Sequence, residues 1–550
     1  MLHAAYYKYF VAPKSAVIIS YLTLGFLLLL ALAAKPIWSG REQWHFGQGA
    51  DDGVYLVTAK AIATGQGYRI PSLPGVPFAV KYPPIFPAFL SIAWRIRPDF
   101  PGSARVGAVM QALLVPLFLA LLLAVLRRWG CSWRRAFLVA ALTLVSMQVA
   151  LLTIMLFSEI LCTCLLFASV LAAERAAESD VESAVDNRHA VPWVLASGLL
   201  GGVAYLTRNA TLPLLAAAPV YFFLKKKPRL AVYFLLASLP LAAWWHVWAF
   251  THIPTGPDAT NGSYFTEYIR NIRMHGFWAN VLKQLNELSG GVAEAILPGV
   301  IAFTVALPLY HIGLAAAISG GIRCGRRTGW PLYLIFSGFL CVMMIFWWGP
   351  GMMRLTVSAW PALLAGIAEE MAYVAGMFES NMQHSPFWSR KSPAWRAVPR
   401  WTLIALGIMI VFRNENRLWH WAEQDLAGEH RLRLQDLPAF AWIAGHSNSD
   451  TVVLAWKDTT TYLYTGAAAS RSLFIAATPQ SPETKTYATS FSALPKNYSR
   501  GLLLILQSDL ELGSSDRDLV PLQAAAAGLA GAQLEFTSPG AFIYSFPIPR

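Results

Sequence analysis

Apolar residues gather along this chain in runs of about 20, the length that carries a helix across the roughly 30 Å hydrocarbon core of a bilayer. Such runs occupy Ser15 to Ala34, Ala104 to Leu126, Val191 to Leu206, Thr211 to Leu224, Leu230 to Phe250, Ala295 to Ile318, Pro331 to Trp348, Leu355 to Gly376 and Trp401 to Phe412, some of them short. The unbroken run from Ala136 to Ala173 would make a helix about 57 Å long. That is too long for one crossing, so it reads as two spans joined by a tight turn. The pattern predicts a polytopic α-helical membrane protein with about eleven transmembrane helices.

Between spans the period changes. The stretch from Asp51 to Tyr68 places apolar residues at helical spacing, with Gly65 and Gly67 as stop signals, and predicts a short amphipathic helix that opens on two acids. Lys81-Tyr82-Pro83-Pro84 leads into an apolar stretch ended by Arg95, Arg97 and Pro98. This is too short to cross and predicts a second helix lying in the interface. Beyond Phe412 the pattern becomes alternating, at Thr451 to Trp456, Thr461 to Tyr464, Gly501 to Leu506 and Ala541 to Phe546, with an Ala-rich helical stretch from Leu522 to Ala532. These predict a small α/β domain. The expected division is a membrane module over 1–412, with outside loops at 35–103 and 251–294, and an outside domain over 413–550.

Composition agrees: 56% of the 550 residues are hydrophobic and 13% charged, against roughly 25% charged in soluble domains. The net charge of +13 does not point to nucleic acid, because the cations cluster in every second loop: Arg127 to Arg135, Lys225 to Arg229, Arg323 to Arg327 and Arg390 to Arg400. The positive-inside rule assigns these loops and the N-terminus to the cytoplasm of a multi-pass protein of the inner (plasma) membrane. An odd number of spans leaves the C-terminus on the periplasmic or extracellular side. A cleaved signal peptide is the other reading of the first span, whose length favours a retained anchor. The five cysteines fall in spans or cytoplasmic loops, so no disulfide framework is indicated.

Candidate chemistry then lies on the outside face. Asp51 and Asp52 open the first interface helix, where acids also serve simply as caps and complements to the helix dipole. Glu159 follows Ser158 near the turn inside the long apolar run. A carboxylate at that depth faces a cavity or a partner, unless it only marks the turn. Arg354, Arg208 and Lys81 lie at outside edges, where a cation either snorkels to headgroups or binds a phosphate. Carboxylates and cations together beside lipid suit an anionic lipid substrate and a base. His45, His252 and His275 are scattered, so a divalent metal is possible but not indicated, and no cofactor is required.

These residues resemble motifs of the C-type membrane glycosyltransferases, the family of protein O-mannosyltransferases and lipid A aminoarabinose transferases. Asp51-Asp52-Gly53-Val54-Tyr55 matches that family's D-[DE]-x-x-Y, and Lys81-Tyr82-Pro83-Pro84 its K/H-x-P-P element. Ser158-Glu159 matches an acid in the second outside loop. Arg354 with Pro361 matches part of an R-[YF]-x-x-P-x-x-P element, although Leu355 replaces the aromatic. The resemblance covers about residues 1 to 412, and the tail is similar to the outside domain many members carry. It implies a sugar moved from a polyprenyl phosphate to an acceptor hydroxyl on a glycan, lipid or protein. Asp51 would be the general base, Asp52 and Glu159 further acids of the site, and Lys81 and Arg354 the clamp on the leaving phosphate. Tyr55, Tyr82 and Arg208 would line the substrate. A polysaccharide polymerase or ligase of the same fold is the alternative. A lipid-sugar transporter fits less well, since neither charges at the midplane of several spans nor paired broken helices are evident.

Overall fold

The computed structural model describes residues 2–47, 51–178, 186–253, 272–273, 276–296, 303–347, 352–384, 398–471, 498–511 and 531–548. Its helices in chain order are α1 (Leu2–Gly40), α2 (Asp51–Ala63), α3 (Ile85–Ile96), α4 (Gly102–Arg128), α5 (Trp133–Leu144), α6 (Met147–Ile154), α7 (Glu159–Glu178), α8 (Asp186–Thr207), α9 (Pro213–Leu224) and α10 (Pro228–Thr251). They continue as α11 (Phe277–Ile296), α12 (Phe303–Thr328), α13 (Leu332–Ile345), α14 (Met352–Leu355), α15 (Trp360–His384) and α16 (Val398–His446).

Five of these are long and apolar enough to cross a membrane among the described residues: α1 from Ile19, α4, α7, α8 from His189, and α10. The pair α5 and α6 makes a sixth, bent by 68°. Apolar side chains such as Leu24, Leu28, Leu199, Leu236 and Val247 stand exposed on these helices, as a lipid-facing surface requires. This count covers the described residues alone and leaves the expected eleven open. Helices α9 and α13 have only 12 and 14 residues, while Arg323 and Arg327 near the end of α12 pair with Glu370 and Glu369 near the middle of α15, and Glu369 also pairs with Arg135.

The long apolar run breaks where a turn was expected, between Ile154 and Glu159, and breaks once more at Val145-Ser146. Ser146 caps α6 by accepting from the Val149 N–H. Helix α8 packs against α10 through Gly198 and Gly202, where an added Cβ would meet the backbone and side chains of α10, a close approach that small residues permit in membranes.

The segment between α1 and α4 contains the two expected short helices. α2 and α3 lie against each other, and the Trp94 indole donates to the Leu56 carbonyl at 2.9 Å. The segment between α10 and α12 holds a helix, α11, where the sequence predicts a loop. Its inward face of Gln284, Leu288, Ser289 and Val292 is buried at helical spacing, while Lys283 and Glu287 face outward and keep its average polar.

The tail forms a five-stranded mixed sheet in the order β2-β1-β3-β5-β4, built from β1 (Thr451–Ala455), β2 (Ala468–Arg471), β3 (Arg500–Leu506), β4 (Gln533–Ser538) and β5 (Ala541–Pro547). β1 runs parallel to β2 and β3, and β5 antiparallel to β3 and β4. Thr461 to Tyr464, expected as a strand, is instead part of a helix, α17 (Asp458–Thr465). Its β-favouring Thr and Tyr residues are overruled by topology, because parallel neighbours need a crossover, which here closes with Gly466 in the left-handed region at φ 76°. A short α18 (Gln507–Glu511) follows β3. Most of the Ala-rich stretch 522–532 lies outside the described residues. Helix α16 runs without interruption through position 412, from the bundle to the sheet.

Candidate active site

Helix α2 starts with Asp51 because its first turn favours acids and because the loop before it turns on Gly47, at φ 90°. The Asp51 carboxylate accepts a 2.5 Å hydrogen bond from the Tyr82 hydroxyl and lies 2.8 Å from an Arg354 guanidinium nitrogen. Arg354, on the one-turn helix α14, also donates through Nε to Glu159 and lays its guanidinium 3.8 Å from the Phe157 ring centroid. Glu159 is the first residue of α7 and makes a second ion pair, with Arg208 at 3.2 Å. Arg208 donates to Ser158 at 3.1 Å, and Ser158 lies 3.3 Å from the Tyr55 hydroxyl. The Tyr55 ring packs edge-on against Tyr82, with centroids 5.1 Å apart.

Residues from five separate stretches therefore form one network of two carboxylates, two guanidiniums and two phenols. Its members differ in exposure: the Asp51 and Arg354 side chains are 23% and 21% exposed, Glu159 only 4%. A small cavity lies beside Glu159, Arg208 and Arg354, walled by Cys162, Thr211 and Ser358. Burial works to raise the Asp51 carboxyl, but the charge of Arg354, the Tyr82 hydroxyl and Arg208 outweigh it and hold it below the usual carboxylate range. It is ionised at neutral pH.

Among the residues singled out from sequence, Asp51, Glu159, Tyr55, Tyr82, Arg208 and Arg354 are in this network. Lys81 stands at its edge, its ammonium 6.0 Å from the centroid of the Tyr82 ring. Asp52 occupies a different place. Buried, it accepts from the backbone N–H groups of Gly47 at 2.7 Å and Gly53 at 2.8 Å, so it fastens the turn that carries Asp51. Burial raises its carboxyl against the pull of those two N–H groups, helped by the Asp51 charge and opposed by Lys457. Phe157 was not anticipated, although it directly precedes Ser158-Glu159. Sequence gives no sign that an aromatic ring beside the acid will carry an arginine from about 200 residues later.

Among the described residues no group of three or more His, Cys, Asp or Glu side chains converges as metal ligands do. The two acids of the site are bridged by arginine instead. His45 is buried, and burial pushes its imidazole down to about 4 despite a backbone hydrogen bond at Ile154. It is neutral at physiological pH.

No protein-family model matches the sequence, and no curated protein matches it. Solved structures do. An oligosaccharyltransferase of Archaeoglobus fulgidus tethered to an acceptor peptide superposes with a TM-score of 0.54 and 13% identity, over 95% of this chain and 75% of that one. AglB from Archaeoglobus fulgidus, in complex with an inhibitory peptide and a dolichol-phosphate, gives 0.51 and 14% over 94% and 74%. ArnT from Cupriavidus metallidurans bound to undecaprenyl phosphate gives 0.49 and 14% over 96% and 98%. At these identities the likeness to the oligosaccharyltransferases establishes the fold, which is that of the C-type membrane glycosyltransferases.

Proposed function

We propose that this membrane protein of C-type glycosyltransferase fold transfers a sugar from a polyprenyl-phosphate donor to an acceptor hydroxyl, with Asp51 as general base. One observation carries the reading: an ionised carboxylate on an interface helix is held at hydrogen-bond distance by a tyrosine and an arginine, beside a second arginine and a lysine. AglB, which shares the fold, was solved with a dolichol-phosphate, a donor carrier of the class proposed here.

The chemistry follows from charge. The acceptor oxygen attacks the anomeric carbon, the bond from that carbon to the phosphate oxygen breaks with its electron pair going to the phosphate, and Asp51 takes the acceptor proton. An acceptor hydroxyl needs a positioned carboxylate for this step. The leaving phosphate gains charge and needs cations that are already in place. Arg354, Arg208 and Lys81 supply that charge, so no step calls for a metal. At rest Arg354 is shared between Asp51 and Glu159. A phosphate presents Arg354 with a bidentate partner of higher charge. Its shift toward that partner leaves Asp51 to Tyr82 and makes the carboxylate a stronger base when the donor is bound. Glu159, almost wholly buried, acts as counter-ion to both arginines rather than as a proton acceptor.

Asp51→Asn is isosteric and tests the reading. Purified full-length variant, offered undecaprenyl-phosphate-linked sugars while undecaprenyl phosphate release is followed, turns over at least about 100-fold more slowly than the parent. A folded Asp51→Asn protein with parental turnover would remove Asp51 from the mechanism. Transfer from a soluble nucleotide sugar without a lipid intermediate would refute the donor class.

A further inference from the structure

The turn that delivers Asp51 is gripped from outside the membrane module. Asp52 fixes it internally, and helix α17 of the tail lies directly upon it. The Thr459 and Thr460 side chains sit against Gly53 and Gly47 so tightly that a Cβ at either glycine would collide with them. Both threonines are buried. Tyr462, one turn further along, lies under the Lys60 ammonium of α2 at 4.7 Å.

A buried ionic cluster stands behind this contact. Lys457 immediately precedes α17, and its side chain is 9% exposed. Its ammonium lies 3.4 Å from the buried Asp509. Arg433, on the part of α16 beyond the bundle, is 3.4 Å from Asp436 and donates at 2.7 Å to the Phe46 carbonyl, one residue before Gly47. Asp436 is tied in turn to Ser508, beside Asp509, at 2.8 Å. Charges are costly to desolvate, and apolar residues would have filled the same space at less cost. What this cluster provides that an apolar core does not is direction. Arg433 fixes the chain at Phe46, and Lys457, paired with Asp509, anchors the start of the helix whose Thr459 and Thr460 press on Gly53 and Gly47.

We propose that the tail domain is a structural part of the catalytic site, with Lys457 and Arg433 as positioning residues that hold Phe46, Gly47 and the first turn of α2 so that Asp51 meets Tyr82 and Arg354. This rests on Asp51 being the base. The domain thus contributes to turnover even where it makes no contact with substrate, because a reacting group displaced by about 1 Å loses up to roughly 100-fold in rate.

The test uses full-length protein in nanodiscs, with Lys457→Met, which keeps the side chain's length and removes its charge, and Lys457→Arg, which restores it. Two quantities are read: kcat and donor KM with an undecaprenyl-phosphate-linked sugar, and amide hydrogen exchange over residues 51–57. Lys457→Met is expected to lose about 10-fold in kcat with donor KM nearly unchanged, and to exchange faster across 51–57. Lys457→Arg should recover most of both. Unchanged kcat and exchange in folded Lys457→Met overturns the proposal, as does a loss of activity that only tracks the fraction of protein unfolded. Should Lys457→Met not accumulate, Thr459→Ala trims only atoms lying on Gly53 and is judged by the same outcomes. Should the parent protein turn over no polyprenyl-phosphate sugar, the proposed reaction falls, while exchange over 51–57 still decides whether Lys457 holds the turn.

Discussion

Arg354 has two acids to hold and one charge with which to hold them. Its planar fork meets Asp51 and Glu159 with different nitrogens, which a lysine's single ammonium cannot reproduce. Tyr82 completes the arrangement at 2.5 Å from Asp51, and its hydrogen bond is one of the forces that depress the Asp51 carboxyl. The sign of the pH dependence follows. A carboxyl depressed in the folded state contributes stability that is present above its unfolded pKa, about 4, and is lost as pH falls through the lower folded value. Removing the Tyr82 hydroxyl shrinks that depression, so the contribution is smaller and is fully lost at a higher pH. Tyr82→Phe should therefore move the acid limb of kcat/KM upward, since that profile reports the free enzyme's base. An acid limb that stays fixed would mean that a group other than Asp51 sets it. The acids, the cations and the two tyrosines could be picked out from sequence because each is a polar residue next to a membrane span or in a short motif. Their pairing could not, since neither spacing nor propensity says which acid an arginine 195 positions away will meet.

Elements were legible where period and environment agreed. Helices α2 and α3 followed from helical spacing in stretches too short to cross, and β1, β3 and β5 from short apolar runs, buried along nearly their whole length in β1 and β3. They were hidden where tertiary contacts prevail over pattern. Helix α17 reads as a strand until the parallel pairing of β1 and β2 demands a crossover, and α11 reads as a polar loop until its four-residue inward stripe is seen to be buried. The α2–α17 contact makes a prediction at this scale. Gly53 is helical but has no room for a methyl group beside Thr459, so Gly53→Ala should destabilise the protein by about 1–3 kcal/mol, the usual cost of overpacking. In a double-mutant cycle Thr459→Gly should recover much of that loss, whereas simple additivity would show that the two sites are independent.

At the scale of the whole molecule, three of the four basic loops collect at one end of the bundle, the fourth, 390–400, lying mostly outside the described residues. Lys227 donates to the Ala177 carbonyl and Lys225 to the Gly329 carbonyl. Arg128 pairs with Glu178, and Glu369 pairs with both Arg135 and Arg327. The candidate site belongs to the other end, where Glu159 opens α7, rather than to the end where Glu178 closes that helix beside Arg128. We therefore expect a reporter joined to the tail to be active only on the outside of the cell. Activity in the cytoplasm would invert the orientation and put the site on the wrong face for a donor in the outer leaflet. The strand order of the sheet carries a consequence for how the protein is made. Central strand β3 pairs with β1 on one side and with β5 on the other, so its second edge stays unsatisfied until residues 541–547 have left the ribosome. An unpaired edge of this apolar kind recruits other strands. Chains interrupted before β5 should be cleared or aggregate during biogenesis, and no partly synthesised copy would carry out transfer while the bundle is still being inserted.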